Sequence, residues 1–211
     1  MATRLSRERV VEAAVRLADE EGFDALSLAA VARVFGVAVP SLYKHVESLD
    51  ALRAEVALVA VRELTDRMRR AAVGRARGEA LRALARACRA YVREHPGRYA
   101  ATVRAVGPDD PLAAERLAAL DEALEVIYAV LRGYGIEGED LVDAARALRS
   151  AMHGFALLEA AGGFGLPRHV DRSYEAMLDA FDAMLERWGE RMVGSKGGRR
   201  AAAGRSPRRA R

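Results

Sequence analysis

The sequence predicts an all-α protein, with a small three-helix head at the N-terminus and a larger helical body behind it. Three observations predict this class. Ala, Leu and Arg dominate a chain of 211 residues that is 51% apolar but only 6% aromatic, so the residues a large sheet needs are scarce. Apolar positions recur at helical spacing in nearly every segment. Glycines and prolines of the kind that end helices stand between those segments.

The first helix is expected from about Ser6 to Glu21. Val10, Val11, Ala14, Leu17 and Ala18 fall on one face, Ser6 can cap it, and Glu8 suits its first turn. Gly22 stops it. Ser27 caps a second helix whose inner face is Leu28, Val31, Ala32 and Phe35, and Gly36 ends it and permits a tight turn. A short helix follows at about 39–45. Pro40 is tolerated there because it lies in the first turn, and Leu42 and Val46 turn inward. Ser48 or Asp50 opens a long helix to about Arg70, with a break marked by Gly74 and Gly78. Further helices are expected at about 79–94, 98–106, 112–133, 138–161 and 171–192. His95-Pro96-Gly97, the turn Gly107 to Pro111 and the loop Gly162 to Pro167 punctuate them. The domains are therefore placed at 1–50, 51–193 and a basic tail at 194–211.

The overall charge of +4 is carried by that tail: residues 196–211 hold seven Lys and Arg and no acid, and without them the first 195 residues sum to −3. Rich in Gly, Ala, Ser and Pro, the tail is expected to be disordered, either as a solubilising segment or as a non-specific attraction to phosphates. One cysteine, Cys88, excludes an intramolecular disulfide and a multi-cysteine metal site. Cys88 itself reads as inert core rather than a thiol sensor. No apolar run approaches the ~18 residues of a membrane helix, and the charged N-terminus lacks the apolar core of a secretory signal. A soluble cytoplasmic protein, with no membrane partner, is expected.

Chemistry points to nucleic acid rather than catalysis. The histidines at 45, 95, 153 and 169 lie on different elements with no metal-ligand spacing. Gly162-Gly163-Phe164-Gly165 follows a helix, not a strand, so it does not read as a phosphate cradle. Asp109-Asp110 sits in a proline-bounded turn. No catalytic residue, metal or cofactor is expected. Residues 27–45, by contrast, have the size and punctuation of a helix-turn-helix, whose second helix enters the major groove. With Leu42 and Val46 committed to the core, the opposite face offers Val39, Pro40, Ser41, Tyr43, Lys44 and His45. Lys44 can reach a guanine edge or a phosphate, Ser41 several base edges, and Val39 and Pro40 thymine methyls. Tyr43, His45 and the Ser27 hydroxyl suit phosphate oxygens, although Tyr43 and His45 could instead pack between helices. Arg33 is the one cation on the preceding helix.

Residues 6–61 resemble the N-terminal domain of the tetracycline-repressor (TetR) family. The resemblance is carried by Ser6-Arg-Glu-Arg-Val-Val-Glu-Ala-Ala-Val-Arg-Leu-Ala, by Gly22-Phe-Asp-Ala-Leu-Ser-Leu and by Gly36-Val-Ala-Val-Pro-Ser-Leu-Tyr-Lys-His-Val. It implies a dimeric transcription regulator, usually a repressor, that a small ligand releases from a palindromic operator in double-stranded DNA. It also implies DNA-contacting roles for Ser27, Ser41, Tyr43, Lys44 and His45. The chain departs from the family pattern at Ala38-Val39, where Ser-Pro is frequent, and at Ser48-Leu49-Asp50, where a lysine is frequent. Ala29 and Ala30 stand where basic residues are common. The head is thus poor in cations. The C-terminal half is similar to the Trp-His-Gly subgroup of the same family, through His153-Gly154, Glu159 and Gly162-Gly163-Phe164-Gly165, without the Trp.

Gly154 inside a helix costs about 1 kcal/mol against Ala, a cost that close approach of another backbone can offset. The segments 138–161 and 171–192 are apolar over broader faces than one core needs, so a homodimer is expected, burying Met152, Phe155, Met177, Phe181 and Met184. A two-fold dimer also spaces two reading helices by about one DNA turn, ~34–36 Å. A pocket for an unknown small-molecule effector is sought among Tyr91, Tyr99, Tyr128, Met152 and His153, which join apolar bodies to polar tips; the alternative for each is core packing and, for His153, an interhelical hydrogen bond. Two other readings stay open: an architectural or constitutive DNA binder without an inducer, and a ligand-binding dimer that has lost tight DNA recognition.

Overall fold

Serine side chains set where the N-terminal helices begin. Ser6, Ser27 and Ser48 each have extended backbone, and each hydroxyl accepts from a backbone N–H three residues on, those of Arg9, Ala30 and Ala51. Such a cap satisfies one of the donors a helix start leaves free. The computed structural model describes residues 5–203, with side chains described to residue 191. Helix α1 is Arg7–Glu21, α2 is Leu28–Phe35, and a short helix covers Val39–Lys44. Then come α3 (Leu49–Ala72), α4 (Arg77–Glu94), α5 (Pro96–Thr102), α6 (Ala113–Arg132), α7 (Glu139–Ala160) and α8 (Val170–Ala203). No strand occurs among the described residues.

The Val39–Lys44 helix is wound as a tight 3₁₀ helix. Ser41 N–H donates to the Ala38 carbonyl (2.9 Å) and His45 N–H to that of Leu42 (2.8 Å). The segment is only six residues long and has no side-chain cap at Ala38, and it closes on itself through the shorter i to i+3 bonds typical of short helical pieces. Gly36 precedes it in the left-handed region, φ +64°. There the Val37 N–H reaches back to the Ala32 carbonyl (3.1 Å) and closes α2.

Two hydrophobic cores result. The head core holds Val10, Ala14, Leu17, Val31, Leu42 and Val46 from the first three helices, with Leu52 and Val56 of α3. The body core joins Leu64 and Met68 of α3 to α4, α6, α7 and α8 through Leu84, Tyr91, Leu131, Leu148, Tyr174 and Leu178. Helix α3 therefore runs unbroken through both, past the boundary placed at residue 50. Helix α5 also serves both: Ala101 belongs to the head core and Tyr99 to the body core.

Several details differ from the sequence reading. Gly78 lies inside α4 rather than at a break; a Cβ there would meet the Asp182 carboxylate at 2.3 Å. The segment expected at 98–106 is α5, which starts earlier at Pro96 and stops at Thr102. Helix α8 continues to Ala203, past residue 193 where the tail was placed; the remainder of that tail, 204–211, lies outside the described residues. No helix among the described residues is long and apolar enough to cross a membrane.

Candidate DNA-reading surface and ligand cavity

The short helix divides its residues as its spacing dictates. Leu42 is wholly buried and Val46 nearly so, while Pro40, Tyr43 and Lys44 are exposed and Val39, Ser41 and His45 half-buried. Tyr43 is 55% exposed, which sets aside the reading in which its ring fills space between helices. Arg33 is exposed one turn before the Gly36 bend. Ser27 holds the α2 start, with its hydroxyl accepting from Ala30, so its O–H proton stays available to an outside acceptor. At the start of α1 the Glu8 carboxyl is held below its usual range, first by a backbone N–H and then by the Ser6 hydroxyl. The cation Arg53, one turn into α3, turns away from this face and donates to the Asp24 and Leu26 carbonyls (3.3 and 3.2 Å).

Helix α5 fixes the head to the body. Gly97 lies so close to α1 that a Cβ would sit 1.7 Å from the Ala18 carbonyl oxygen. Next to it, the Asp19 carboxylate accepts from the Arg98 backbone N–H (2.9 Å), pairs with the Arg98 guanidinium (2.8 Å) and meets His95 Nδ1 (3.1 Å). Arg98 also pairs with Glu63 of α3 (3.0 Å), whose carboxylate accepts from the Tyr91 hydroxyl (3.0 Å). Four helices thus meet at one half-buried polar junction.

On its other side α5 borders a cavity of about 300 Å³. The wall is apolar, from Val61, Leu64 and Met68 of α3 and Leu120, Leu124 and Ile127 of α6. Tyr99, Thr102 and Arg104 line the α5 side, Arg149 the α7 side and Asp121 the α6 side. The Tyr99 hydroxyl lies 2.8 Å from His153 Nδ1. Burial, aided by the nearby Arg149 charge, lowers the His153 pKa, so the ring is neutral at pH 7.

Of the five residues expected to line a pocket, Tyr99 lines this cavity and His153 is bonded to it. Tyr91 is fully buried, with its hydroxyl held by Glu63 and the Ala60 carbonyl. Tyr128 lies under the Arg132 guanidinium, 5.6 Å from its ring centroid. Met152 is core, 3% exposed. An inward aromatic reads the same from sequence whether it fills a core or a cavity. Arg149 was missed because nothing local distinguishes it from the neighbouring Arg146. Cys88 is buried and its thiol is pushed up to about 12 by burial, which leaves almost no thiolate for redox chemistry.

The outer sides of α7 and α8 carry the remaining apolar surface. Met177, Phe181 and Met184 are half-buried along α8, beside exposed Ala176, Ala180 and Ala183. Leu157, Leu158, Phe164 and Leu166 are exposed around the end of α7. A Cβ on Gly154 would meet nothing within 4 Å, so no backbone of another element approaches it among the described residues. Phe155 instead meets Tyr174 edge to face, with ring centroids 4.9 Å apart. Arg89 seals this end, gripping Glu159 through two bonds of 2.6 Å and Asp171 at 2.7 Å. Met152, expected on this outer face, does not reach it. Among the described residues no cluster of His, Cys, Asp and Glu could hold a metal ion.

Comparison with known proteins agrees with this arrangement. The family model described as bacterial regulatory proteins, tetR family, matches residues 10–56, and that described as tetracyclin repressor-like, C-terminal domain, matches residues 81–181. The chain is 43% identical over 160 residues to the uncharacterized HTH-type transcriptional regulator Rv0681 of Mycobacterium tuberculosis, covering 75% of this chain and 72% of that one. It is 34% identical over 178 residues to the uncharacterized HTH-type transcriptional regulator YobS of Bacillus subtilis, covering 84% and 91%. The Streptomyces coelicolor TetR family protein ActR, in a crystal structure with (S)-DNPA, shares the fold with a TM-score of 0.61 at 22% identity, over 89% of this chain and 100% of that one.

Proposed function

This chain belongs to the tetR family of bacterial regulatory proteins, and from that premise we propose that it is a homodimeric repressor released from a palindromic operator when a small molecule occupies the α3–α5–α6–α7 cavity. The family is one of DNA-binding transcription regulators, not of enzymes. The observation that carries the reading is the two-sided placement of α5. Gly97 and Asp19 join it to the head, while Tyr99 and Thr102 face the cavity. A ligand that favours one position of α5 therefore favours one position of the reading head.

Within this proposal Ser41, Lys44, Val39 and Pro40 read base edges, and Ser27, Arg33, Tyr43 and His45 hold phosphates. The two copies meet through the outer sides of α7 and α8, with Met177, Phe181 and Met184 at the seam. We assign the C-terminal half to the Trp-His-Gly type on the roles of its residues: His153 bonded to Tyr99, Gly154 open for close approach, and Glu159 clamped by Arg89. The protein works in the cytoplasm, where its operator is.

A gel shift with the DNA upstream of its own gene, at two salt concentrations, tests the function. A sharp complex that resists competitor DNA, at two chains per site, is expected. Diffuse binding abolished by salt, with no site recovered by genome-wide selection, would overturn the repressor reading. A specific complex that no small molecule disrupts would mark a ligand-independent binder.

A further inference from the structure

The cavity beside α5 presents a positive charge that its own fold leaves unused. Arg149 lines it from α7, is exposed, and makes no hydrogen bond or ion pair with any described residue. Arg104, also on the lining, is already paired with Asp24. The polar groups of α5 and α7 near Arg149 offer it no counter-charge. Tyr99 and His153 are bonded to each other, and the Thr102 hydroxyl donates to the Tyr99 carbonyl (2.7 Å). Its field reaches Cys88, Tyr99 and His153 at the inner end. Asp121, an unpaired carboxylate, also lines the lip. It is exposed and borders the separate groove between α3, α4 and α6 as well, so it stands on the ridge between two openings.

We propose that the effector is a small amphipathic anion: a short apolar body lies along Val61, Leu64, Leu124 and Ile127, and its carboxylate pairs with Arg149. This deepens the ligand-release reading above and rests on it. A guanidinium takes a carboxylate through two parallel N–H bonds and is charged at every working pH. The apolar wall then gains from burial of the body. An alcohol of the same length gains only the second contribution, and an amine meets like charge.

The test uses octanoate, octanol and octylamine as matched probes on the full chain at pH 7.5, with binding measured by calorimetry and DNA release by gel shift. Octanoate is expected to bind at least about tenfold tighter than octanol, the scale of one charge-assisted hydrogen bond, with octylamine weakest. Arg149→Gln is expected to remove that preference while leaving octanol unchanged. Arg146→Gln, an exposed neighbour on the same helix, is expected to keep it. Equal binding of the three probes, or a preference that survives Arg149→Gln, would overturn the anion proposal. DNA release by octanol or octylamine without regard to Arg149 would do the same and leave the ligand-release reading standing. No binding by any probe would overturn the proposal and count against the cavity as the effector site.

Discussion

Lys44 and Tyr43 owe their freedom to Leu42. Once the leucine is committed to the head core, its neighbours must face outward, and Tyr43 is left 55% exposed. This division was legible in the sequence because burial in a short helix follows its spacing. Lys44→Ala and Tyr43→Ala are expected to weaken specific DNA binding by about 1–3 kcal/mol each, where Arg93→Ala on α4 leaves it unchanged; quantitative footprinting checks this. His153 yields a second expectation. Its folded pKa is lowered, so the unfolded chain takes up the proton first. The stability it contributes is present above its ordinary value of 6.5 and falls as the pH drops from there through the lowered value. His153→Gln is expected to flatten that part of the denaturation profile. That His153 bonds to another helix was legible in the sequence, but its partner Tyr99 and the place of Arg149 were not, because they depend on the register of α7 against α5, an element about fifty residues away.

At the scale of elements, the caps were the most readable signals. Ser6, Ser27 and Ser48 begin their helices where a side-chain acceptor is needed. The winding of the Val39–Lys44 helix was less so, since Pro40 fits the first turn of either helix type and six residues carry too little periodicity to separate the two. Gly78 misled for a related reason: a glycine that ends a helix and one that admits a neighbouring carboxylate look alike in one dimension. Gly97 is the second kind. A Cβ there overlaps backbone of α1, which cannot swing aside as a side chain would. Gly97→Ala is expected to destabilise the protein by about 3 kcal/mol, a fall in Tm of roughly 10 °C for a chain of this size, read by thermal unfolding. Arg98→Ala, at the same junction, removes the ion pairs to Asp19 and Glu63 without that overlap and should cost less.

For the whole molecule, the single chain leaves apolar surface along α7 and α8 that its own core does not cover. The sequence showed the excess, but not which residues face out. Met152 turned inward because the body core claims that side of α7. Light scattering is expected to give twice the 22.9 kDa mass of one chain. Ala180→Glu places a charge on an exposed position of α8, so one chain folds with it but the seam does not close. A monomer that has lost operator binding is the expected result; a dimer that survives the substitution would move the interface elsewhere.

The contact between Gly97 and Ala18 has a consequence for how such a protein can change over time. It joins main chain to main chain, so in the proposed function this contact between sensor and reader carries no record of which side chains line the sensor. Apolar residues of the cavity wall can be exchanged for others of similar bulk, retuning what is sensed, while this contact stays intact. A new specificity can then arise by a handful of substitutions in one place, with no matching repair at the other end.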